Sequence, residues 1–207
     1  MFKKIENYLD CSIKGKLFIF KVQKNEYMPK KLDFITPTVI KVLELFFDNP
    51  MEEFHERKVM RISQISKGSA NKILRQLAKL DFFVRKERGR MVFYKLNMKN
   101  ATVKQFKILF NVWKLKSLVD EIKQKSKKIV LFGSCAEGID VKESDIDILV
   151  ITEEKIFVKE SISNFNEKSE RSISPIIVDS NEFTKLRKED KPLYEKIDRG
   201  IVLWETE

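Results

Sequence analysis

The sequence predicts an α+β protein in which two domains are joined by a helical connector, and three observations carry that prediction. Residues 34–97 read in the order helix, helix, helix, hairpin. Residues 127–207 alternate strand-length apolar runs, at 128–132 and 146–150 among others, with helical patterns. Charge separates the two halves. Residues 1–100 hold 22 Lys or Arg against 11 Asp or Glu, a net of +11, whereas residues 101–207 hold 19 against 20, a net of −1. With 207 residues, 43% of them apolar, the chain can furnish two cores of roughly 100 residues each.

Residues 1–33 form an N-terminal extension whose strand-like run, 16–22, suits either an extra hairpin or a dimer arm, followed by a linker at Met28-Pro29-Lys30-Lys31. A first buried helix is expected over 37–47, with Thr36 as N-cap and Pro37 in the first turn. A short second helix follows over 57–64. After a break at Ile65-Ser66, a third helix keeps Ala70, Ile73, Leu74, Leu77 and Leu80 on one face and Lys67, Ser69, Lys72, Arg75 and Lys79 on the other. Strands over 82–86 and 91–96 then make a hairpin with Glu87-Arg88-Gly89-Arg90 as its cationic tip.

This order resembles a winged helix-turn-helix covering residues 34–97. The resemblance implies a third helix in the major groove and a wing on the neighbouring backbone. It assigns base or phosphate contacts to Ser69, Asn71, Lys72 and Arg75, and phosphate contacts to Arg85, Lys86, Arg88 and Arg90. The concentration of positive charge in this half independently points to a polyanion, and to nucleic acid before membrane. Residues 98–126 carry enough apolar positions for one long or two short helices, read as an interdomain connector and a candidate homodimer contact.

The most chemically informative stretch is 129–150. A β-branched run ends at Gly133-Ser134, where a strand turns into a helix, and a glycine there lets backbone N–H groups approach an anion closely. Ten residues later, Asp145 and Asp147 fall on one face of a strand while Ile146 and Ile148 enter the core on the other. Two such carboxylates, roughly 6–7 Å apart by strand rise, repel unless a cation sits between them. Mg²⁺ suits the position because it takes hard oxygen ligands and shares them with phosphates. A Gly-Ser turn alone is common, and an Asp-x-Asp alone is often a solvated strand face. Together at this spacing they point to a nucleotide site.

Gly133-Ser134, ten residues, then Asp145-x-Asp147 resembles the signature of the nucleotidyltransferase superfamily that includes DNA polymerase β. Gly138 and Ser144 also fall where the minimal archaeal and bacterial members have theirs. The resemblance implies that residues 127–207 form a nucleotidyltransferase domain, a mixed sheet flanked by helices. It further implies that Gly133 and Ser134 hold nucleotide phosphates, that Asp145 and Asp147 bind Mg²⁺ and are catalytic, and that an NTP, ATP first among them, donates its NMP to an acceptor hydroxyl. One departure stands out. Full members carry a third carboxylate on a later strand, and registering 173–180 on the family pattern puts Ile176 at that position, with Asp179 better suited to capping the next helix.

Two functions follow. One is a nucleotidyltransferase with a DNA-binding domain that modifies a macromolecular acceptor, with a toxin as a candidate partner, since some minimal family members are antitoxin-like. The other is a transcriptional regulator whose weakened nucleotidyltransferase domain senses NTP and Mg²⁺. No apolar run approaches 18 residues and the N-terminus lacks a signal-peptide pattern, so a soluble, cytoplasmic protein without membrane association is expected. Cys11 and Cys135 are too few for a disulfide framework or zinc site, and the lone His55 argues against histidine chemistry. Lys155, Lys159, Lys168 and Arg171 read as solvated surface.

Overall fold

The computed structural model describes residues 9–13, 16–20 and 32–206. The chain divides into two compact units, Met1–Phe34 and Ile35–Glu207. In the first, β1 (Leu9–Ile13) and β2 (Lys16–Phe20) form an antiparallel hairpin with Leu9 opposite Phe20 and Ile13 opposite Lys16. The linker expected at 28–31 lies outside the described residues.

The second unit opens with α1 (Pro37–Asp48), β3 (Phe54–His55), α2 (Glu56–Ile62), α3 (Lys67–Lys79), β4 (Phe83–Arg88) and β5 (Met91–Leu96). Thr36 caps α1 by accepting a hydrogen bond from the Val39 N–H at 3.3 Å, and Pro37 starts the helix. α1 and α3 each bury an apolar face, and the three strands form one sheet ordered β3-β5-β4. Phe46 is fully buried there, stacked on Phe83 at 4.1 Å and edge-on to Phe54 at 5.0 Å.

Three local features differ from the sequence expectation. β3 is only two residues long, too short for alternation to announce it, and is defined by its pairing with β5. α2 begins one residue earlier because His55 caps it, Nδ1 accepting from the Lys58 N–H at 3.3 Å. The hairpin turn narrows to Gly89-Arg90. Gly89 takes φ +59°, a conformation a two-residue hairpin loop favours, so Glu87 and Arg88 join the strand.

The chain continues through α4 (Ala101–Lys114), α5 (Lys116–Ile122) and a 3₁₀ turn, then β6 (Lys128–Leu131), α6 (Gly133–Glu137), β7 (Ile146–Ile151), α7 (Lys155–Lys168), β8 (Ile173–Val178), α8 (Ser180–Glu189), α9 (Lys191–Asp198) and β9 (Ile201–Glu205). The four strands are ordered β8-β7-β6-β9, with β7 and β8 parallel and the other pairs antiparallel. Both faces of this mixed sheet are covered by helices. Ile129, Leu131, Ile148 and Val150 pack with α5 and α7, while Val130, Leu149 and Ile151 pack against α8 and α9. Among the described residues, no helix is long and apolar enough to cross a membrane.

α4 joins the two halves of this unit. Phe106 and Phe110 meet Phe82 and Phe47 edge-on, both at 5.2 Å. Toward the mixed sheet α4 buries Lys107 and Asn111. Lys107 Nζ donates to the Phe47 carbonyl and, at 2.5 Å, to the Asp140 carbonyl, and lies 3.5 Å from the Asp140 carboxylate. The same carboxylate accepts from Arg171 Nη1 at 2.8 Å and Asn111 Nδ2 at 3.0 Å. Arg171 also donates to the Ser144 carbonyl (2.9 Å) and to Cys135 Sγ (3.1 Å). Arg171 is therefore a buried member of an ionic hub, not the solvated surface residue its Lys-rich surroundings suggested. Burial alone is expensive for such charges, and their mutual pairing makes it tolerable.

Candidate nucleotide site and basic face

Gly133 and Ser134 open α6 one residue after β6, Phe132 lying between the two elements as the N-cap position. Gly133 adopts φ +69°, and a Cβ on it would collide with the Asp147 carboxylate, so no larger residue fits without moving the acid. α6 has only five residues and no side chain caps it. Its contribution to anion affinity thus comes from the individual N–H groups of the turn more than from a macrodipole. Gly138 ends α6 at φ +68°, and a Cβ there would meet the Lys104 carbonyl oxygen at 2.8 Å. The return from α6 toward β7 is therefore pressed against α4.

Asp145 immediately precedes β7 and Asp147 is its second residue, on the same face as Leu149, while Ile146 and Ile148 point into the opposite core. Asp145 is exposed and Asp147 partly buried. The Asp147 carboxyl is pushed above its ordinary pKa first by burial and then by the neighbouring Asp145 charge, with Lys196 opposing both. Gly133, Ser134 and Asp147 line a cleft of about 510 Å³ together with Ser174, Ile176 and Lys196, among others. Asp147 presents hard oxygen donors to the cleft beside backbone N–H groups, whereas the exposed Asp145, two residues earlier, is not among the lining residues. Among the described residues no group of three or more His, Cys, Asp or Glu gathers at metal-binding distance. This set fits a Mg²⁺ that completes its shell with water and substrate phosphates, not an all-protein cage.

The parallel register puts Ser174 directly opposite Asp147, and Ile176, which shares the cleft, opposite Leu149. No carboxylate stands on the strand beside Asp147. Asp179 lies five residues beyond Ser174, roughly 16 Å along the strand, where it completes a capping box. Its Oδ1 accepts from the Asn181 and Glu182 N–H groups at 2.9 Å, and Glu182 returns the bond to the Asp179 N–H at 2.8 Å. Lys155 pairs with both acids. Asp179→Ala is accordingly expected to lower the thermal midpoint and leave nucleotide affinity unchanged. A large loss of affinity in isothermal titration would place Asp179 in the site instead.

Cys135 does not carry an acidified thiol. It is buried, and burial pushes its pKa up. Ser174 and Lys196 escaped the sequence reading. The register of β8 against β7 could have flagged Ser174, whereas nothing local marks Lys196, almost fifty residues downstream on α9.

The eight residues assigned to nucleic-acid contact fall on α3, β4 and the turn after it. Lys72 and Arg75 project from the exposed face of α3, and Arg90 sits at the hairpin turn. Among the described residues, these three make no ion pair. Asn71 is partly buried and donates to Glu56, and the Ser69 hydroxyl accepts from Ser66 at 2.9 Å. Arg85 pairs with Glu87 at 2.5 Å, while Lys86 (3.0 Å) and Arg88 (2.7 Å) share Glu53. Part of the positive charge on β4 is therefore internally neutralised.

Residues 114–201 match the family model of the nucleotidyltransferase domain. No curated protein sequence matches the chain significantly. Among solved structures, a Sulfolobus solfataricus protein assigned as a nucleotidyltransferase is 20% identical, with 52% of this chain and 92% of that one covered and a TM-score of 0.36. A toxin–antitoxin structure with AMP-PNP is 27% identical, with 47% of this chain and 75% of that one covered and a TM-score of 0.34.

Proposed function

We propose that this chain is a nucleotidyltransferase-fold protein that docks on DNA through residues 34–97 and transfers NMP from an NTP, ATP first among them, to a macromolecular acceptor. One observation carries the nucleotide half of the reading. The Gly133 backbone lies directly against the Asp147 carboxylate in one cleft, so anion-binding N–H groups and cation-binding oxygens face the same space. Asp145 and Asp147 would hold Mg²⁺, which when bound would supply charge neutralisation for the phosphates. Gly133 and Ser134 hold the β and γ phosphates and so orient the α phosphorus. The acceptor oxygen bonds that phosphorus, its proton passes to solvent, the bond to the bridging oxygen breaks, and pyrophosphate leaves with the electron pair.

The test is incubation of the whole protein with NTP radiolabelled at the α phosphate and Mg²⁺, alone and with cell lysate. Label should move to DNA, RNA or a protein, a toxin partner included, and the recipient identifies the acceptor class. A second reading has its own support, since Ser174 and Ile176 occupy the strand beside Asp147 where a third carboxylate would help activate the acceptor. In that reading the domain binds Mg²⁺·NTP and biases DNA affinity as a regulator. Nucleotide binding without label transfer selects it.

The DNA half rests on Lys72, Arg75 and Arg90, exposed on the two elements that would dock as a winged helix, with Ser69, Asn71, Arg85, Lys86 and Arg88 beside them. Arg90→Ala is expected to reduce the slope of log K against log salt by about one unit on any duplex sequence. Arg88→Ala should change it less, because Arg88 already pairs with Glu53. Equal slopes for wild type and Arg90→Ala would remove the hairpin turn from the interface.

A further inference from the structure

We infer that Lys196 is the triphosphate-binding cation of the nucleotide cleft, an ammonium that pairs with the β and γ phosphates of an NTP seated on Gly133 and Ser134. The inference rests on the nucleotide reading above and adds to it a residue that the Gly-Ser and Asp-x-Asp pattern does not contain.

Placement is the first argument. Lys196 lines the cleft with Gly133, Ser134 and Asp147, and it is the sole cationic side chain among the described residues lining it. Asp147 and the exposed Glu137 make this lining electronegative. An incoming polyphosphate therefore needs a fixed positive partner beyond the metal ion.

Availability is the second. The other basic residues on or just after α9 are committed, Lys191 and Arg199 both pairing with Glu195. Among the described residues Lys196 makes no ion pair, and it shares the lining of the cleft with Asp147. The ammonium is thus free to take an anion seated in that cleft.

The third is the rigidity of its base. Asp190 caps α9 by accepting from the Leu193 N–H at 3.1 Å, and Pro192 sits in the first turn. Ile197, the next residue, is buried against Val130, Phe132 and Leu149, and Leu193, one turn before Lys196, lines the same cleft. The helix is fixed while the flexible lysine stem is left to follow the phosphates.

A helix-terminal lysine could instead serve only the α9 dipole, and the experiment separates the two roles. Affinities for ATP and AMP with Mg²⁺ are measured on the whole protein for wild type, Lys196→Met and Lys196→Arg, with Asp145→Asn/Asp147→Asn alongside. Lys196→Met should weaken ATP about tenfold or more and leave AMP within about twofold, with Lys196→Arg restoring most of the ATP affinity. No loss with Lys196→Met, or equal losses for ATP and AMP, overturns the assignment while leaving the nucleotide site intact. Wild-type protein that binds neither nucleotide overturns the site and this inference together. An unchanged thermal midpoint for the exposed Lys196→Met shows that the readout is binding and not folding.

Discussion

Asp145→Asn combined with Asp147→Asn should abolish Mg²⁺-dependent NTP binding, lowering affinity by more than about a hundredfold, and eliminate label transfer. Both substitutions keep side-chain volume and remove the two anionic oxygens that a divalent cation needs. Chelation of Mg²⁺ with EDTA should reproduce the loss in wild type and add nothing in the variant. The variant should not melt below wild type. Asp147 is held in an unfavourable place, its carboxyl pKa raised by burial and by Asp145, so neutralising the pair relieves repulsion. A fold no less stable and a lost affinity together separate a functional acid pair from a structural one. Retained Mg²⁺-dependent binding in the variant would falsify the metal assignment.

Asp140→Asn should lower stability by about 3–5 kcal/mol, because it leaves Lys107 and Arg171 buried without a countercharge. The readout is the urea midpoint at unchanged m-value. The double variant Asp140→Asn/Lys107→Met should recover part of the loss, since one of the two stranded cations is then gone. A pH series supplies an independent check. Burial pulls the Lys107 pKa below its ordinary 10.5 even though Asp140 opposes the shift. Between that lowered value and 10.5 the unfolded chain binds more protons than the folded one. Wild type should therefore gain stability relative to Lys107→Met as pH rises through this window, and below it the penalty is present in full. A loss under about 1 kcal/mol for Asp140→Asn would mean that water reaches the hub and that the ion pairs contribute little.

The hub also bears on how the two halves of the second unit communicate. Lys107 spans from the C-terminal end of α1, at the Phe47 carbonyl, to Asp140, and the Lys142 N–H donates to the Asp48 carbonyl at 2.9 Å. Arg171 and Cys135 hold the Ser144 and Asp145 carbonyls at the other end of the same loop. Asp145 is thus the last residue of a short segment anchored on the C-terminal end of α1.

The sequence by itself determined whatever depends on neighbours within a few positions. Thr36 and Pro37 start α1 because a hydroxyl and a fixed φ satisfy a helix end locally. Asp179 caps α8 for the same reason. The strands and helices of residues 127–207 were legible from their apolar runs, their arrangement as a mixed sheet flanked by helices only through the family resemblance of the Gly-Ser and Asp-x-Asp pattern, and the shared face of Asp145 and Asp147 from the two-residue period of a strand. Only the tertiary structure decided matters that depend on register and burial. Ser174 faces Asp147 because β8 runs parallel to β7 in one particular register, and a one-residue slip would have exchanged its face. Arg171 and Lys107 look like members of a solvated, lysine-rich surface until folding encloses them around Asp140. Lys196 reaches the cleft because α9 packs back across the sheet. Periodicity carries local geometry, whereas the meeting of charges distant in sequence is fixed by packing, which no short stretch of the chain records.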